Sequence, residues 1–333
     1  MFKPITIFPE TGHFYKGNLH SHTTNSDGHL TPEESVRLFK SQGYAFLCLS
    51  DHDRYTDYRT QFNSDDFIIL PGLEASANLI DTANDNARLK THHMHGILGT
   101  SAMQEAATVH FSHLEHLPVP VYEDQWNGLA VAESVRDTLK SHGCLVTYNH
   151  PIWSRVDAED FCDLEGIWAL EIYNYGTVNE SATGYDTTYW DKILRSGRQL
   201  FAFASDDNHN EGIFDDACGG WISVKAQQLD HDAIINAMLA GHYYSSSGPS
   251  IYNWGIKENN TVWIDCSACE RVNFICGGYI NAGATVIAPT RDGLQHIEHQ
   301  LKGTETYVRI ECIDYAGKTA WTNAHFLEQE NAQ

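Results

Sequence analysis

The feature that most narrows the possible folds is a repeated event: a short apolar run, one strand long, stops on histidine, aspartate or glutamate. "YAFLCLS" runs into Asp51-His52-Asp53, "DFIILPGLEAS" reaches Glu74, and "CLVTYNHP" reaches His150. "ALEIYNY" passes Glu171 to end at Asn174, and "QLFAFASDDNH" reaches Asp207 and His209. Helical segments separate most of these runs. Thr31-Pro32-Glu33-Glu34 has a capping Thr, a Pro at the first helical position and a Glu closing a capping box; the helix then stops at Gly43. A second helix is expected near Glu123–Ser141, ending at Gly143, and a third over "DTTYWDKILRS", ending at Gly197. This alternation predicts an α/β fold with parallel strands, whose carboxyl ends are where sites are built. Strand ends are solvated, which explains any one polar residue there. It does not explain why so many are of metal-ligand type.

The pattern changes after "AMLAGHYYSSSGPS". "NWGIKENNTVWIDCSACERVNFICGG" and "ETYVRIECIDYAGKTAWTN" alternate apolar and polar residues around Asn-Asn and Gly-Gly turns, which is antiparallel β. A boundary at Gly248-Pro249 divides the 333 residues into an α/β domain, 1–247, and a small β-sandwich, 248–333. "SSSG" at Ser245–Gly248 reads as the turn between them. The segment Gln104–Glu123 holds three histidines outside any strand end and reads as an inserted loop or lid.

Charge excludes some partners. With 44 acidic against 21 basic residues the net charge is −23, which disfavours a nucleic-acid groove or an anionic membrane surface. An anionic small substrate remains compatible, because bound cations invert the local sign of a site. The longest apolar stretches are strand-sized, far short of the roughly 20 residues a membrane span needs. The first ten residues show no secretory pattern, and the eight cysteines are scattered, several in apolar runs, so a reducing cytoplasm is expected. Cys266-x-x-Cys269 is a lone CxxC, a weak sign of a zinc or redox role.

Nineteen histidines direct attention to metal chemistry. His20-x-His22, at the end of "HFYKGNLHSH", places two imidazoles on one strand face, where both can reach one cation at about 2.0–2.1 Å. In "THHMHGILG", His93 and His95 share a face by the two-residue period, so either is a candidate. In "ASDDNH" the Asp-x-His spacing selects Asp207, with Asp206 as the alternative.

Taken in order, "NLHSHTTNSDGHLTPEE", "LCLSDHD", "ILPGLEAS", "VTYNHP" and "ASDDNH" resemble the motifs of the PHP (polymerase and histidinol phosphatase) superfamily of metal-dependent phosphoesterases. The resemblance spans Gly12 to Ser247. The continuation, "AIINAMLAGHYYSSSGPSIYNW" and "VRIECIDYAGKTAWTN", is similar to the two-domain branch of CehA/McbA-type metallohydrolases. The resemblance implies a distorted (β/α)7 barrel with up to three divalent metals. By position, His20, His22, Glu74 and Asp207 would hold one. Glu74 would bridge to a second, held also by His93 and His150, and Asp27, His52 and His209 would hold a third. Such mixed imidazole and carboxylate shells suit zinc, iron or manganese alike.

The expected chemistry is attack of a metal-bound hydroxide on the phosphorus of a small organic phosphate, a monoester or a cyclic or nucleotide-type diester. Arg54 and Arg155, just past two of the motifs, are candidate phosphate clamps. Asn174 and Tyr173 are candidate substrate contacts, and Asp53 a candidate for orienting a ligating histidine. The alternatives are hydrolysis of a carbamate or other ester at the same site, and a non-catalytic, metal-stabilised accessory domain.

Overall fold

A computed structural model describes residues 1–329. Seven strands carry the first part of the chain: β1 (His13–Asn18), β2 (Phe46–Leu49), β3 (Ile68–Asp81), β4 (Ala87–Leu98), β5 (Cys144–Tyr148), β6 (Ala169–Asn174) and β7 (Phe201–Ser205). β1, β2 and β3 pair in parallel, as do β5, β6 and β7. β4 is antiparallel to both β3 and β5. Beyond β7, a parallel bridge between Ser21 and Asn208 brings the last of these strands back beside the continuation of the first. Two further strands, β8 (Trp221–Ala226) and β9 (Tyr243–Ser246), extend the sheet, with β8 antiparallel to β1 and to β9. The result is a mixed α/β fold with one large mixed sheet and, described below, a separate antiparallel sheet.

Helices cover the outside of this sheet by burying one apolar stripe each. α1 (Pro32–Ser41) begins at the expected capping box, and Gly43 follows it with a φ of 75°. Its Val36 and Phe39 pack with Leu47, Leu49 and Ile69 of β2 and β3. α2 (Gly128–Ser141) starts later than the apolar spacing implied, because the Asn127 side chain accepts the Ala130 N–H at 3.3 Å and sets the first turn there. It buries Val131, Val135 and Leu139. α3 (Thr187–Arg195) buries Trp190, Ile193 and Leu194.

Strict strand–helix alternation fails between β3 and β4. The connection "DTANDN" is a tight turn in which the Asp81 side chain accepts the Ala83 N–H, and Asp85 and Asn86 take left-handed φ angles of 55° and 57°. Those angles reverse the chain at once, so a long hairpin replaces a helical crossover. The Gln104–Glu123 insert is not wholly irregular either. Leu114–His116 pairs with Arg54–Thr56, and Val121–Tyr122 runs alongside β3.

The C-terminal part is built from β10 (Ile251–Ile256), β11 (Thr261–Cys269), β12 (Arg271–Cys276), β13 (Leu294–Gln300), β14 (Tyr307–Ile313) and β15 (Thr319–Thr322). A four-stranded antiparallel sheet joins β10, β11, β13 and the N-terminal pair Ile5–Thr6. Opposite it, β12, β14 and β15 pair antiparallel, and β15 continues onto β9 of the large sheet. Trp254, Ile264 and Ile297 from one side and Val272, Phe274 and Ile310 from the other share one apolar core, which also takes in Phe2 and Phe8. A buried Arg309 fork on Asp191 of α3, at 2.9 and 2.8 Å, ties this part to the first. Among the described residues, no helix is long and apolar enough to cross a membrane.

Candidate metal centre

The seam between the ends of β1 and β7 positions the first donors. The Asp207 N–H donates to the His20 carbonyl and the His22 N–H to the Asn208 carbonyl, both at 3.0 Å, and the His29 N–H donates to the His209 carbonyl at 2.7 Å. The loop from Thr23 to Ser26 is gathered by one carboxylate: Asp51 accepts the Thr23 N–H at 2.7 Å and the Ser26 hydroxyl at 2.9 Å. Gly28 closes that loop, and a Cβ there would lie 2.4 Å from the His22 carbonyl oxygen. Asp53, His150 and Asp207 take positive φ angles of 53°, 24° and 56°. Such backbone is costly for residues with a Cβ and persists where the surroundings enforce it.

Four donor atoms meet in the middle. His20 Nε2 lies 3.1 Å from Glu74 Oε2 and 3.0 Å from Asp207 Oδ1, and His22 Nε2 lies 3.3 and 3.1 Å from the same two oxygens. The two ring nitrogens are themselves 3.1 Å apart. A tetrahedron with metal–ligand bonds of about 2.0–2.1 Å has edges of about 3.3–3.4 Å. The donor set therefore has nearly the spacing of a shell around one cation. The other Glu74 oxygen, Oε1, is 3.4 Å from His93 Nδ1 and 3.3 Å from His150 Nε2. His52 faces two ways, with Nδ1 3.3 Å from Glu74 and Nε2 3.6 Å from Asp27, whose other oxygen is 3.4 Å from His209 Nε2. Three of these sets, His20/His22/Glu74/Asp207, His52/Glu74/His93 and His22/Asp27/His52/His209, have donors close enough to hold metal ions. Buried His22 Nδ1, His52 Nδ1, Glu74 Oε2 and both His93 nitrogens lack a hydrogen-bond partner. Orphaned polar atoms of this kind are expensive without a ligand.

Electrostatics point the same way. Burial opposes ionisation of Glu74 and Asp207, yet the neighbouring imidazoles, His20 foremost, hold both well below the usual carboxylate range. Burial alone would lower His22, but hydrogen bonds to Asp207 and Glu74 outweigh it and raise the group to about 10. His52, buried beside His22, is lowered to about 3. Protons thus sit where cations would compensate the carboxylates.

Behind the donors stands Glu171, fully buried. Its Oε1 accepts from His20 Nδ1 at 2.9 Å and from the Ser205 hydroxyl. Its Oε2 accepts the His150 N–H at 3.1 Å and Asn174 Nδ2 at 3.0 Å. This fixes the His20 tautomer with Nε2 free, as an outer carboxylate does for a metal-ligating imidazole. A register irregularity between Glu171 and Tyr173 accompanies this placement. The sequence pattern marked Glu171 as lying at a strand end but offered no partner for it.

The site opens into a cavity of about 190 Å³, whose lining includes Asp27, His52, His93, His150, Asp207 and His209. All nine expected metal-binding residues therefore belong to the converging sets or line this cavity. Between the alternatives, the geometry separates roles. His93 reaches Glu74, while His95 packs edge-on against His20 at 4.2 Å with both nitrogens unpartnered. Asp207 meets the histidines, while Asp206 accepts the backbone N–H groups of Cys218, Gly219 and Gly220.

The residues expected to contact substrate have protein partners of their own in the structure or stand beside the cavity. The Arg54 guanidinium is bound to His116 Nε2, at 2.9 and 2.7 Å, because the insert strand pairs next to it. Arg155 is exposed and lines a neighbouring groove. Asn174 is buried and braces the site, donating to both Glu171 and Asp207 at 3.0 Å while capping the helix that follows it. Tyr173 packs on Trp321. Asp53 accepts the Ser76 N–H at 2.7 Å and so holds β3, not a histidine. The basic residue that does line the cavity is Arg88, on the β3–β4 hairpin, where no strand-end signal marks it.

No protein-family model and no curated protein matches the sequence. Among solved structures, the chain is similar to a two-domain protein from Bacteroides vulgatus containing a predicted PHP-like metal-dependent phosphoesterase. The identity is 12%, 94% of each chain is covered and the TM-score is 0.44. It is also similar to a presumed metal-dependent phosphoesterase from Bifidobacterium adolescentis, at 14% identity, over 70% of this chain and 97% of that one, with a TM-score of 0.38.

Proposed function

We propose that the chain is a metal-dependent phosphoesterase of the PHP type, which hydrolyses a small organic phosphate, a monoester or a cyclic or nucleotide-type diester. The observation that carries this reading is the meeting of His20, His22, Glu74 and Asp207 at 3.0–3.3 Å beside an open cavity. In this reading residues 1–247 form a distorted (β/α)7 barrel and 248–333 a β-sandwich domain, with the short N-terminal strand Ile5–Thr6 lent to the latter.

His20, His22, Glu74 and Asp207 would hold one divalent ion; Glu74, His93 and His150 a second; Asp27, His52 and His209 a third. Divalent zinc, iron or manganese, when bound, supplies Lewis acidity toward phosphoryl oxygens and a nucleophile at neutral pH. The chain's own residues set up the rest. Glu171 keeps the proton of His20 on Nδ1. Asn174 fixes the Asp207 carboxylate. Arg88 offers a guanidinium to a phosphate entering the cavity. Trp153 packs against His93 and His150, at 5.7 and 5.1 Å, and screens them from water.

Metal analysis of the purified protein, then a screen of phosphomonoesters, cyclic phosphates and carbamates with His150→Ala alongside, tests the proposal. The expected result is stoichiometric transition metal and phosphate release that the substitution abolishes. A chain without such metal and indifferent to chelators overturns it, and turnover of carbamates alone moves the substrate to the other class.

A further inference from the structure

A second donor cluster, this one of sulfurs, lies in the C-terminal core, apart from the cavity. Cys266, Cys269 and Cys312 are buried, and their sulfurs lie within 4.8 Å of one another. All three are free thiols. The backbone is shaped to bring them together. Along β11, Val262, Ile264 and Cys266 are buried at alternate positions, after which Ala268 is exposed and Cys269 buried. Two residues three apart face opposite sides of a regular strand. A register shift between Asp265 and Cys269 turns both thiols inward. Cys312 comes from β14, across the core from β11. A position needing only apolar volume would be served by residue 268 without disturbing the ladder.

We propose that Cys266, Cys269 and Cys312 form a three-thiolate site for a soft monovalent cation of the copper(I) class. The sulfur spacing agrees: with metal–sulfur bonds of about 2.3 Å, three sulfurs in a trigonal plane are about 4 Å apart. No imidazole or carboxylate donor joins the three among the described residues. A zinc ion takes four ligands in a structural site, whereas copper(I) is selected by soft sulfur donors. The surroundings, Ile251, Ile264, Val272 and Ile310, are apolar and offer the ion no further donor, which fits a three-coordinate cation. Exposed Ala268 and half-buried Ser267 leave the cluster close beneath the surface. Binding changes no oxidation state: each thiol that ligates releases its proton to solvent and its sulfur donates an electron pair to the metal.

The test is anaerobic titration of the full-length, divalent-metal-loaded protein with copper(I) against a chromophoric copper(I) chelator. X-ray absorption at the copper edge identifies the ligands. The expected result is one copper(I) per chain with three sulfur neighbours and the divalent complement retained. Cys269→Ala and Cys312→Ala should each weaken binding at least tenfold, while Cys276→Ala, outside the cluster, leaves it unchanged. Copper bound by nitrogen or oxygen, uptake unaltered in Cys312→Ala, or no retained copper overturns the proposal. If the cluster variants fail to fold, the edge spectrum of the unaltered protein decides alone.

Discussion

At the scale of single residues, Glu171 has the largest untested role. It touches no cavity and fills both its oxygens with donors from four residues, among them the imidazole of His20 and the backbone of His150. Glu171→Ala is expected to lower metal affinity by about 10–100-fold, read as metal retained after dialysis, with Glu171→Gln recovering part of the loss. His22 gives a pH prediction. Its imidazole, raised to about 10 before metal arrives, must lose a proton to become a ligand. Metal binding at neutral pH should therefore release protons, and affinity should climb as pH rises from about 6 to 8. Calorimetry in buffers of different ionisation enthalpy measures the proton count; a pH-independent constant contradicts the assignment. Most of the candidate donors stand out in the sequence because an apolar run stops on them; Asp27, on the loop after His22, and His93, inside β4, do not. Glu171 and Arg88 were not legible as part of the site. The first acts through other side chains, and the second sits on a hairpin that strand–helix reading took for one of several separate strands.

At the scale of elements, the site depends on how loops are tied to strand ends. Asp51 gathers the Thr23–Ser26 loop, and Gly28 lets it pass under the His22 carbonyl. Gly28→Ala should push that loop outward, costing about 1–3 kcal/mol of stability and moving Asp27 away from His52 and His209. The expected readout is a lower thermal midpoint together with loss of part of the bound metal; a variant with full metal content would show that Asp27 is dispensable. The start of α1 was readable to the residue because its capping box is a local code. The start of α2 was not, since Asn127 competes with acidic residues upstream and only its hydrogen bond to Ala130 settles the first turn. The Arg54 guanidinium has a partner that the sequence did not show, for a related reason: His116 arrives from an insert whose pairing no local pattern announces.

At the scale of the whole molecule, the two parts are joined by continuous pairing from β9 to β15 and by the Arg309–Asp191 fork. Arg309 is almost wholly buried, at 3% exposure, whereas Asp191 keeps 26%. Removing the cation alone, as in Arg309→Met, should cost about 3 kcal/mol, near the lower end for a broken buried pair. The double variant with Asp191→Leu should recover only part of it, because Arg309 also pairs with Glu311 at 2.7 Å, as chemical denaturation of both would show. In the proposed reading the complete donor set exists only in the folded chain, so chelation should lower the thermal midpoint of the entire molecule. An unchanged midpoint after complete metal removal would mean that the buried carboxylates and imidazoles neutralise one another unaided.

The seam where Asp207 and Asn208 lie beside His20 and His22 also sets an order of events during synthesis. The earliest donors leave the ribosome long before the last, and His20 has no companion at Asp207 until the chain has been translated past that point. A nascent chain shorter than this holds only part of the proposed donor set, so on that proposal full metal loading would await the arrival of the seventh strand's far end.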